Sequence, residues 1–250
     1  GIEKSGVEAE KYESIVVGNT IPTESRFPYV ARVASIQAGM SLNSTAMALN
    51  RLCSSGLQAV VNSAQGIMLG DHELAIGGGV ESMTRGGYLS AAMRAGARMG
   101  DTSMVDMMVA CLTDPFGVGH MGITAENLAT KWDLTREQQD IFAAQSHARA
   151  SVAIEAGYFK DQIVPIELVS RRGSTFFDID EHVKADTTVD TLSGMRPAFK
   201  KDGSVTAGNA SGINDGASFL TLASESYASA NGLAPIARMV SYAVAGVPND

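Results

Sequence analysis

The sequence has few of the residues that build metal sites and disulfide frameworks. It contains two cysteines, Cys53 and Cys111, and four histidines among 250 residues. Two cysteines cannot form the several disulfides of a small secreted scaffold, so we expect a protein of a reducing compartment, the cytoplasm. Because no Cys-x-x-Cys pair occurs, a structural zinc site is not expected, and no metal ligand is assigned.

Basic residues and long apolar runs are also scarce. The 19 Lys and Arg residues are outnumbered by 27 Asp and Glu residues, and the net charge of −8 disfavours a nucleic-acid partner. No run approaches the roughly 20 apolar residues of a membrane-spanning helix, so no membrane partner is expected. An apolar content of 45% with 18% charged residues excludes a disordered chain and is enough for a large core.

Hydrophobic spacing alternates between strand and helix along the first third of the chain. Short apolar runs predict strands, and apolar residues at helical spacing predict the helices between them; the strands are 15–17, 45–49 and 74–76, and the helices are 28–39 and 57–69. Gly70 follows the second helix as a C-cap, and Gly77–Gly79 are expected to end the third strand. This alternation predicts an α/β fold with a parallel sheet.

The pattern changes after about residue 82 and returns near residue 214. A capping box at Thr135–Gln138 predicts a helix running to Gly157. Strands are then expected at 217–222 and 237–244, with a helix at 224–231 between them. We therefore expect an α/β domain of residues 1–82 and 214–245, an inserted loop domain of residues 83–213, and the start of a link at 246–250.

Cys53 occupies the most suggestive position in the sequence, between a predicted strand and the strongest predicted helix. A helix N-terminus offers free backbone N–H groups and the positive end of the helix dipole, and both favour a thiolate. The next residues, Ser54, Ser55 and Gly56, are small enough to let a substrate approach. A nucleophile and a buried structural cysteine are both compatible with this context.

Other segments are less specific on their own. Cys111 lies in an apolar run without an obvious helix cap, which favours a structural role. His120 precedes a predicted helix start at 124–127, and it is interpreted as either a ligand contact or an ordinary loop histidine. The small residues of 206–217 form either a tight loop entering a strand or a backbone surface suited to an extended ligand.

Together these segments resemble the thiolase family. The resemblance rests on Asn-Arg-Leu-Cys-Ser-Ser-Gly at 50–56, Gly-Gly-Gly-Val-Glu-Ser-Met at 77–83, His-Met-Gly-Ile-Thr-Ala-Glu-Asn at 120–127 and the run at 208–217. They occur in the family's order over nearly the whole chain. The resemblance implies a thiolase-like fold, with a mixed sheet and covering helices interrupted by a loop domain.

The resemblance also implies an activity, an acyl-CoA acetyltransferase working through a Cys53 acyl-enzyme. It implies acetyl-CoA and CoA as substrates, with no tightly bound cofactor, and His-Met-Gly is more like the biosynthetic short-chain type. The implied CoA contacts are Leu112, His120, Met121, Lys184, Thr191, Ala207, Ser211 and Ile213. Lys184 and Thr191 stand where the family commonly has Arg and Ser, and Lys keeps the charge without the planar fork of Arg.

Several landmarks of the family do not occur in the sequence. An Asn-Glu-Ala-Phe segment, the histidine of Gly-His-Pro and a second cysteine in Cys-x-Gly-Gly-Gly are missing, and the resemblance places them in a C-terminal α/β half beyond residue 250. We therefore expect residues 1–250 to be a fragment, also lacking the opening strand, with no turnover alone. The alternatives are a truncated subunit that binds CoA or a partner chain, and a ketoacyl synthase-type condensing enzyme.

An oligomer is implied only by the resemblance, since family members are dimers or tetramers. The Met- and Gly-rich residues 86–104 are interpreted either as a tetramer-forming loop or as an ordinary surface loop. A homo-oligomer is therefore expected.

Overall fold

A computed structural model describes residues 1–249. Its strands are β1 Ser14–Gly18, β2 Thr45–Leu49, β3 Leu74–Ser82, β4 Tyr88–Leu89, β5 Val105–Asp106, β6 Ile166–Ser170, β7 Gly173–Phe177 and β8 Asp215–Ala223. Its α-helices are α1 Ile2–Ser5, α2 Val30–Gln37, α3 Ser55–Leu69, α4 Met107–Cys111, α5 Met121–Lys131, α6 Arg136–Glu155, α7 Val189–Ser193 and α8 Glu225–Ala230.

The largest sheet has four strands in the order β2-β1-β3-β8. Strand β1 runs parallel to β2 and β3, with Ile15 opposite Ile76, and β8 runs antiparallel to β3, with Leu74 opposite Ala223. The parallel part follows from the strand–helix alternation, because parallel neighbours need a crossover connection. The expected mixed sheet with covering helices is confirmed.

Helix α3 lies unusually close to this sheet because glycines face it. A Cβ on Gly77 would stand 2.8 Å from the Cα of Val60, and one on Gly18 would overlap the backbone of Ser55. Ala59 and Val60 of the helix are buried. The hydrophobic core cluster of the first unit is formed by buried side chains of the sheet and its surroundings: Tyr12, Ile15, Val17, Ala31, Met40, Leu74 and Ile76.

Two strand predictions from the sequence were wrong. Gly77–Gly79 do not end β3, because both neighbouring strands pair with them, Gly78 lying opposite Val17 and Phe219. The segment 237–244 forms no strand, and within residues 1–249 it has no partner in a sheet. Val240 is 84% exposed. The alternation of apolar residues in this segment was therefore not enough to form a strand, because no neighbouring strand of the described residues is there to pair with it.

By their contacts, the described residues form two compact units. The first is Gly1–Leu112 with Ile213–Pro248, and the second includes Thr113–Gly212. Residues 83–112, assigned above to the inserted domain, thus lie in the first unit. The reason is local, since Gly87 N–H donates to the Pro22 carbonyl at 3.1 Å and Thr84 N–H donates to Asp215 at 3.0 Å.

The second unit contains α5, α6, α7 and the β6–β7 hairpin, in which Ile166 lies opposite Phe177. The capping box that opens α6 is present as predicted: the Thr135 hydroxyl accepts from Gln138 N–H, and the Gln138 side chain accepts from Thr135 N–H. Across residues 1–249, no helix is both long enough and apolar enough to cross a bilayer.

Candidate active site

Cys53 lies in the turn between β2 and α3 and is exposed to solvent. Ser54 is the N-cap of α3, and its side chain makes no capping hydrogen bond. Cys53 is therefore the residue just before the cap, with its thiol open to a reagent, at the end of the helix where the first backbone N–H groups have no acceptor within the helix.

Leu52, the residue before the cysteine, has an uncommon backbone conformation. Leu52 has a φ of 47°, in the left-handed region that side chains with a Cβ rarely occupy. The side-chain oxygen of Asn50 accepts a hydrogen bond from Leu52 N–H at 2.8 Å. Ser54 and Ser55 donate their N–H groups to the carbonyls of Arg51 and Leu52 at 3.1 and 3.0 Å. The turn is thus tightly closed around Cys53.

A cavity of about 760 Å³ opens beside Cys53 within the first unit. Its walls are mostly small or apolar residues and include the glycines of β3; they also include Thr20, Leu52, Ser55, Glu81, Cys111 and Leu112. Gly77–Gly79 therefore serve as close-packed strand residues that form a wall. A pocket of this size and character suits an organic ligand with an apolar reacting end.

Glu81 anchors the chain segment that enters the cavity wall after β1. Its carboxylate accepts hydrogen bonds from Thr20 N–H at 2.9 Å, Ile21 N–H at 3.0 Å and the Asn19 side-chain amide at 3.0 Å. Three donors use most of the accepting capacity of one carboxylate. Glu81 thus fixes the loop after β1, which contributes Thr20 and Ile21 to the cavity wall.

Cys111 is a second thiol in this cavity, which sequence reasoning missed. Burial raises the pKa of the Cys111 thiol, and the negative charges of Glu81 and Cys53 raise it further. Cys111 ends α4, whose N-terminus is capped by the Asp106 carboxylate, accepting from Met108 and Val109 N–H groups. Asp106 was the sequence feature that could have predicted helix α4, because Asp is a common N-cap. No local feature indicated that this helix would line the cavity of Cys53.

The implied CoA contacts are divided between the two units. Leu112 lies in the first unit and lines the same cavity as Cys53. Ile213 is also in the first unit, where it is 53% exposed and does not line that cavity. The remaining six lie in the second unit: His120, Met121, Lys184, Thr191, Ala207 and Ser211.

His120 has a defined structural role at the start of α5. Its Nδ1 accepts a hydrogen bond from Gly122 N–H at 3.1 Å, and its ring stacks on Phe199 with centroids 5.0 Å apart. An accepting Nδ1 leaves Nε2 as the donor of a neutral ring. The helix therefore begins at Met121, earlier than the predicted 124–127, because histidine supplies its cap. Met121 is 43% exposed.

The other four implied contacts are exposed. Ala207 and Ser211 lie on the loop after residue 204, and Lys184 lies in an exposed loop. Thr191 is engaged in the capping box of α7, where its hydroxyl accepts from Thr188 N–H at 3.0 Å and donates to the Thr188 carbonyl at 2.8 Å. Thr191 thus has a structural function in α7 beside its implied contact.

The loop of Ala207 is fixed by a buried polar network. Asp140, 1% exposed, accepts from Arg136 Nε at 2.8 Å and from the Asn209 amide at 2.9 Å. The side-chain amide oxygen of Asn209 accepts a hydrogen bond from Thr206 N–H at 2.7 Å. Arg136 also donates to the Leu192 carbonyl at 2.6 Å, so Arg136 and Asp140 together link α6 to α7 and to the loop. No cluster of three or more metal-binding side chains occurs in residues 1–249.

Comparison with known proteins gives a consistent set of relatives. The family pattern described as "Thiolase, N-terminal domain" matches residues 1–226. Beta-ketothiolase BktB of Cupriavidus necator is 52% identical over 247 residues, which is 98% of this chain and 63% of that protein. Acetyl-CoA acetyltransferase of Rhizobium meliloti is 46% identical over 248 residues, which is 98% of this chain and 62% of that protein.

Solved structures agree with the sequence relatives. The crystal structure of the Bacillus anthracis acetyl-CoA acetyltransferase matches with a TM-score of 0.93 and 44% identity, covering 99% of this chain and 62% of that one. Human mitochondrial 3-ketoacyl-CoA thiolase in complex with CoA matches with a TM-score of 0.88 and 37% identity. The match covers 94% of this chain and 58% of that one. The chain thus spans 62–63% of the length of these curated relatives.

Proposed function

The chain belongs to the thiolase family, and on that premise we propose that it carries the nucleophile of an acyl-CoA acetyltransferase. The reaction is the condensation of two acetyl-CoA molecules to acetoacetyl-CoA and CoA, or the reverse thiolysis of a 3-ketoacyl-CoA. Its relatives are named beta-ketothiolase and acetyl-CoA acetyltransferase. The observation that carries the proposal is the exposed Cys53 thiol, in a closed turn at the edge of a largely apolar cavity.

In the first half-reaction the Cys53 thiolate attacks the thioester carbonyl of acetyl-CoA. The carbon–sulfur bond to CoA breaks, CoA leaves as a thiolate that takes up a proton, and an acetyl group remains on the Cys53 sulfur. In the second half-reaction another acetyl-CoA loses a proton from its α-carbon. The carbanion attacks the acetyl group, and the Cys53 thiolate is released. Such a double displacement gives ping-pong kinetics.

Both half-reactions pass through a tetrahedral oxyanion, which hydrogen-bond donors must stabilise. The backbone N–H of Cys53 is one candidate donor, because it moves with the nucleophile itself. Leu112 shares the cavity and is a candidate for the pantetheine wall. We extend the same role to His120, Met121, Ala207, Ser211 and Ile213, and assign Lys184 and Thr191 to the nucleotide end of CoA.

The remaining parts of the proposal concern the complete protein. CoA and acetyl-CoA act as substrates without a tightly bound cofactor, and a homodimer or homotetramer in the cytoplasm is the expected setting. Arg171, Arg172 and Lys184 are candidates for attracting the anionic CoA, although acidic residues lie among them in the sequence.

The decisive experiment uses the full-length product of the gene that encodes this chain. Incubation with acetyl-CoA is expected to add one acetyl group, which peptide mass spectrometry should place on Cys53. Cys53→Ser should lose the label and lower thiolysis of acetoacetyl-CoA by roughly 10³-fold or more. Cys111→Ser is the matched control, since it removes the other thiol of the same cavity and should still become acetylated.

Two outcomes contradict the proposal. Acetylation that survives in Cys53→Ser would assign the nucleophile to another group. An unlabelled Cys53 in the full-length wild-type protein, at saturating acetyl-CoA, would refute the assignment outright.

A further inference from the structure

Ser55 is the buried residue behind the turn that presents Cys53. It is 4% exposed, whereas its neighbours Ser54 and Cys53 are exposed. The Ser55 hydroxyl accepts a hydrogen bond from Arg51 N–H at 2.7 Å and donates one to the Leu52 carbonyl at 2.6 Å. One hydroxyl therefore joins the two residues on the N-terminal side of the cysteine to the first residue of α3.

The hydrogen bond from Ser55 to the Leu52 carbonyl acts on a residue whose backbone conformation is strained. A residue with a Cβ is strained in the left-handed region, because the Cβ comes too close to the following carbonyl oxygen, and Leu52 is held there with a φ of 47°. The Leu52 N–H is bonded to Asn50 and its carbonyl to Ser55. The conformation of Leu52 is thus fixed from both sides, which is what a strained residue needs in order to persist.

The position of Ser55 is itself fixed by packing. A Cβ on Gly18 would overlap the Ser55 backbone, and a Cβ on Gly79 would stand 3.1 Å from the Cα of Gly56. The first turn of α3 therefore rests directly on the end of β1 and the middle of β3. Because Ser55 packs against the sheet, its hydroxyl connects the Cys53 turn to the sheet through hydrogen bonds to Arg51 and Leu52.

From this geometry we propose that Ser55 is a positioning residue for acyl transfer, acting through the strained Leu52 to hold the Cys53 thiol at the cavity. The inference rests on the proposed function, because it concerns the same nucleophile. Ser55 does not itself need to touch the substrate. Its hydroxyl fixes the backbone of the turn, and a displacement of about 1 Å of a nucleophile is enough to cost roughly 10²-fold in rate.

The test compares Ser55→Ala with Ser54→Ala in the full-length protein. Ser54 is adjacent and exposed, and its side chain caps nothing, so it controls for the loss of a hydroxyl. Ser55→Ala should lower kcat for thiolysis by about 10- to 100-fold, with KM within about threefold of wild type. Ser54→Ala should stay within about twofold of wild type in both parameters.

Alkylation of Cys53 by iodoacetamide separates positioning from misfolding. A small reagent needs little orientation, so its rate at Cys53 should change less than about threefold in Ser55→Ala while acyl transfer falls at least about tenfold. Leu52→Gly, which removes the cost of a positive φ, should raise kcat when it is added to Ser55→Ala. A purely structural Ser55 predicts parallel losses in both reactions and no selective gain in kcat.

The outcomes keep this inference distinct from the proposed function. A wild-type protein without Cys53 acetylation overturns the function. An active wild type in which Ser55→Ala behaves like Ser54→Ala, or in which Leu52→Gly gives no gain, overturns the role of Ser55 alone.

Discussion

The Cys53 turn in the first unit and the loop at 204–209 in the second unit are held by different chemistry. Around Cys53 the turn is closed by uncharged side chains, the amide of Asn50 and the hydroxyl of Ser55. The loop at 204–209 is instead held by two buried carboxylates, Glu126 and Asp140, which are 4% and 1% exposed. Both carboxylates accept hydrogen bonds from that loop.

The difference bears on how each region responds to its surroundings. A neutral hydrogen bond contributes about 1 kcal/mol and does not titrate in the physiological range. A buried carboxylate forms stronger bonds, but these depend on its remaining ionised. The nucleophile turn should therefore be stable to acid, whereas the loop carrying Ala207 should loosen when the Glu126 carboxylate is protonated.

Removing the carboxylate of Asp140 should give the largest effect on stability. Asp140→Ala leaves the Arg136 cation and the Asn209 amide without their shared acceptor. Loss of one partner of a fully buried ion pair costs about 3–5 kcal/mol, and because the Arg136 side chain is 25% exposed the expected loss is at the lower end, about 3 kcal/mol. Trp132, the single tryptophan, lies in the second unit, so its fluorescence during urea denaturation should report this loss from that unit.

Asp186→Ala provides the control for Asp140→Ala, because Asp186 is an exposed carboxylate of the same unit. It should change the unfolding free energy by less than about 0.5 kcal/mol. Equal losses in the two variants would contradict the role given to the Asp140 network.

Local signals in the sequence were enough to predict some of these elements. The capping box at Thr135 and the C-cap at Gly70 were both predicted correctly, because a cap involves residues within a few positions of each other. The position of Cys53 ahead of a helix was likewise a local feature. The strands predicted at 45–49 and 217–222 are also present, as β2 and β8, because hydrophobic spacing is a local signal too.

Features that depend on distant partners were not predictable in this way. Cys111 was interpreted without reference to Cys53, yet both line one cavity. The role of Ser55 was also invisible, since Ser54 and Ser55 are the same residue type and differ only in which one faces the sheet.

Glu126 should make the stability of the second unit depend on pH. Burial acts to raise the pKa of Glu126, but hydrogen bonds from Ser204 and Val205, with the charge of Lys200, outweigh it and hold the pKa below its ordinary value. The folded state thus favours the carboxylate, so this stabilisation is present above the ordinary pKa and is lost as the pH falls through the lowered one. Trp132-monitored unfolding should show a declining free energy below about pH 4.5.

Glu126→Gln should remove part of that pH dependence and cost about 1–3 kcal/mol at neutral pH, because Ser204 and Val205 N–H groups lose a charged acceptor. Glu137→Gln is the control, an exposed glutamate in the first turn of α6. An unchanged acid response in Glu126→Gln would show that other groups are responsible.

The smallest expected effect concerns the two thiols of the first unit, Cys53 and Cys111, which line the same cavity. Burial is the largest cause of the raised pKa of Cys111, and the charge of Cys53 is the last of the three. Cys53→Ser should therefore leave the pH profile of Cys111 alkylation by iodoacetamide nearly unchanged, with rates within about threefold of wild type. Glu81→Gln should accelerate Cys111 more than Cys53→Ser does, because the Glu81 charge is the second cause. A larger acceleration of Cys111 alkylation in Cys53→Ser than in Glu81→Gln would contradict this, because it would mean that Cys53 affects Cys111 more strongly than Glu81 does.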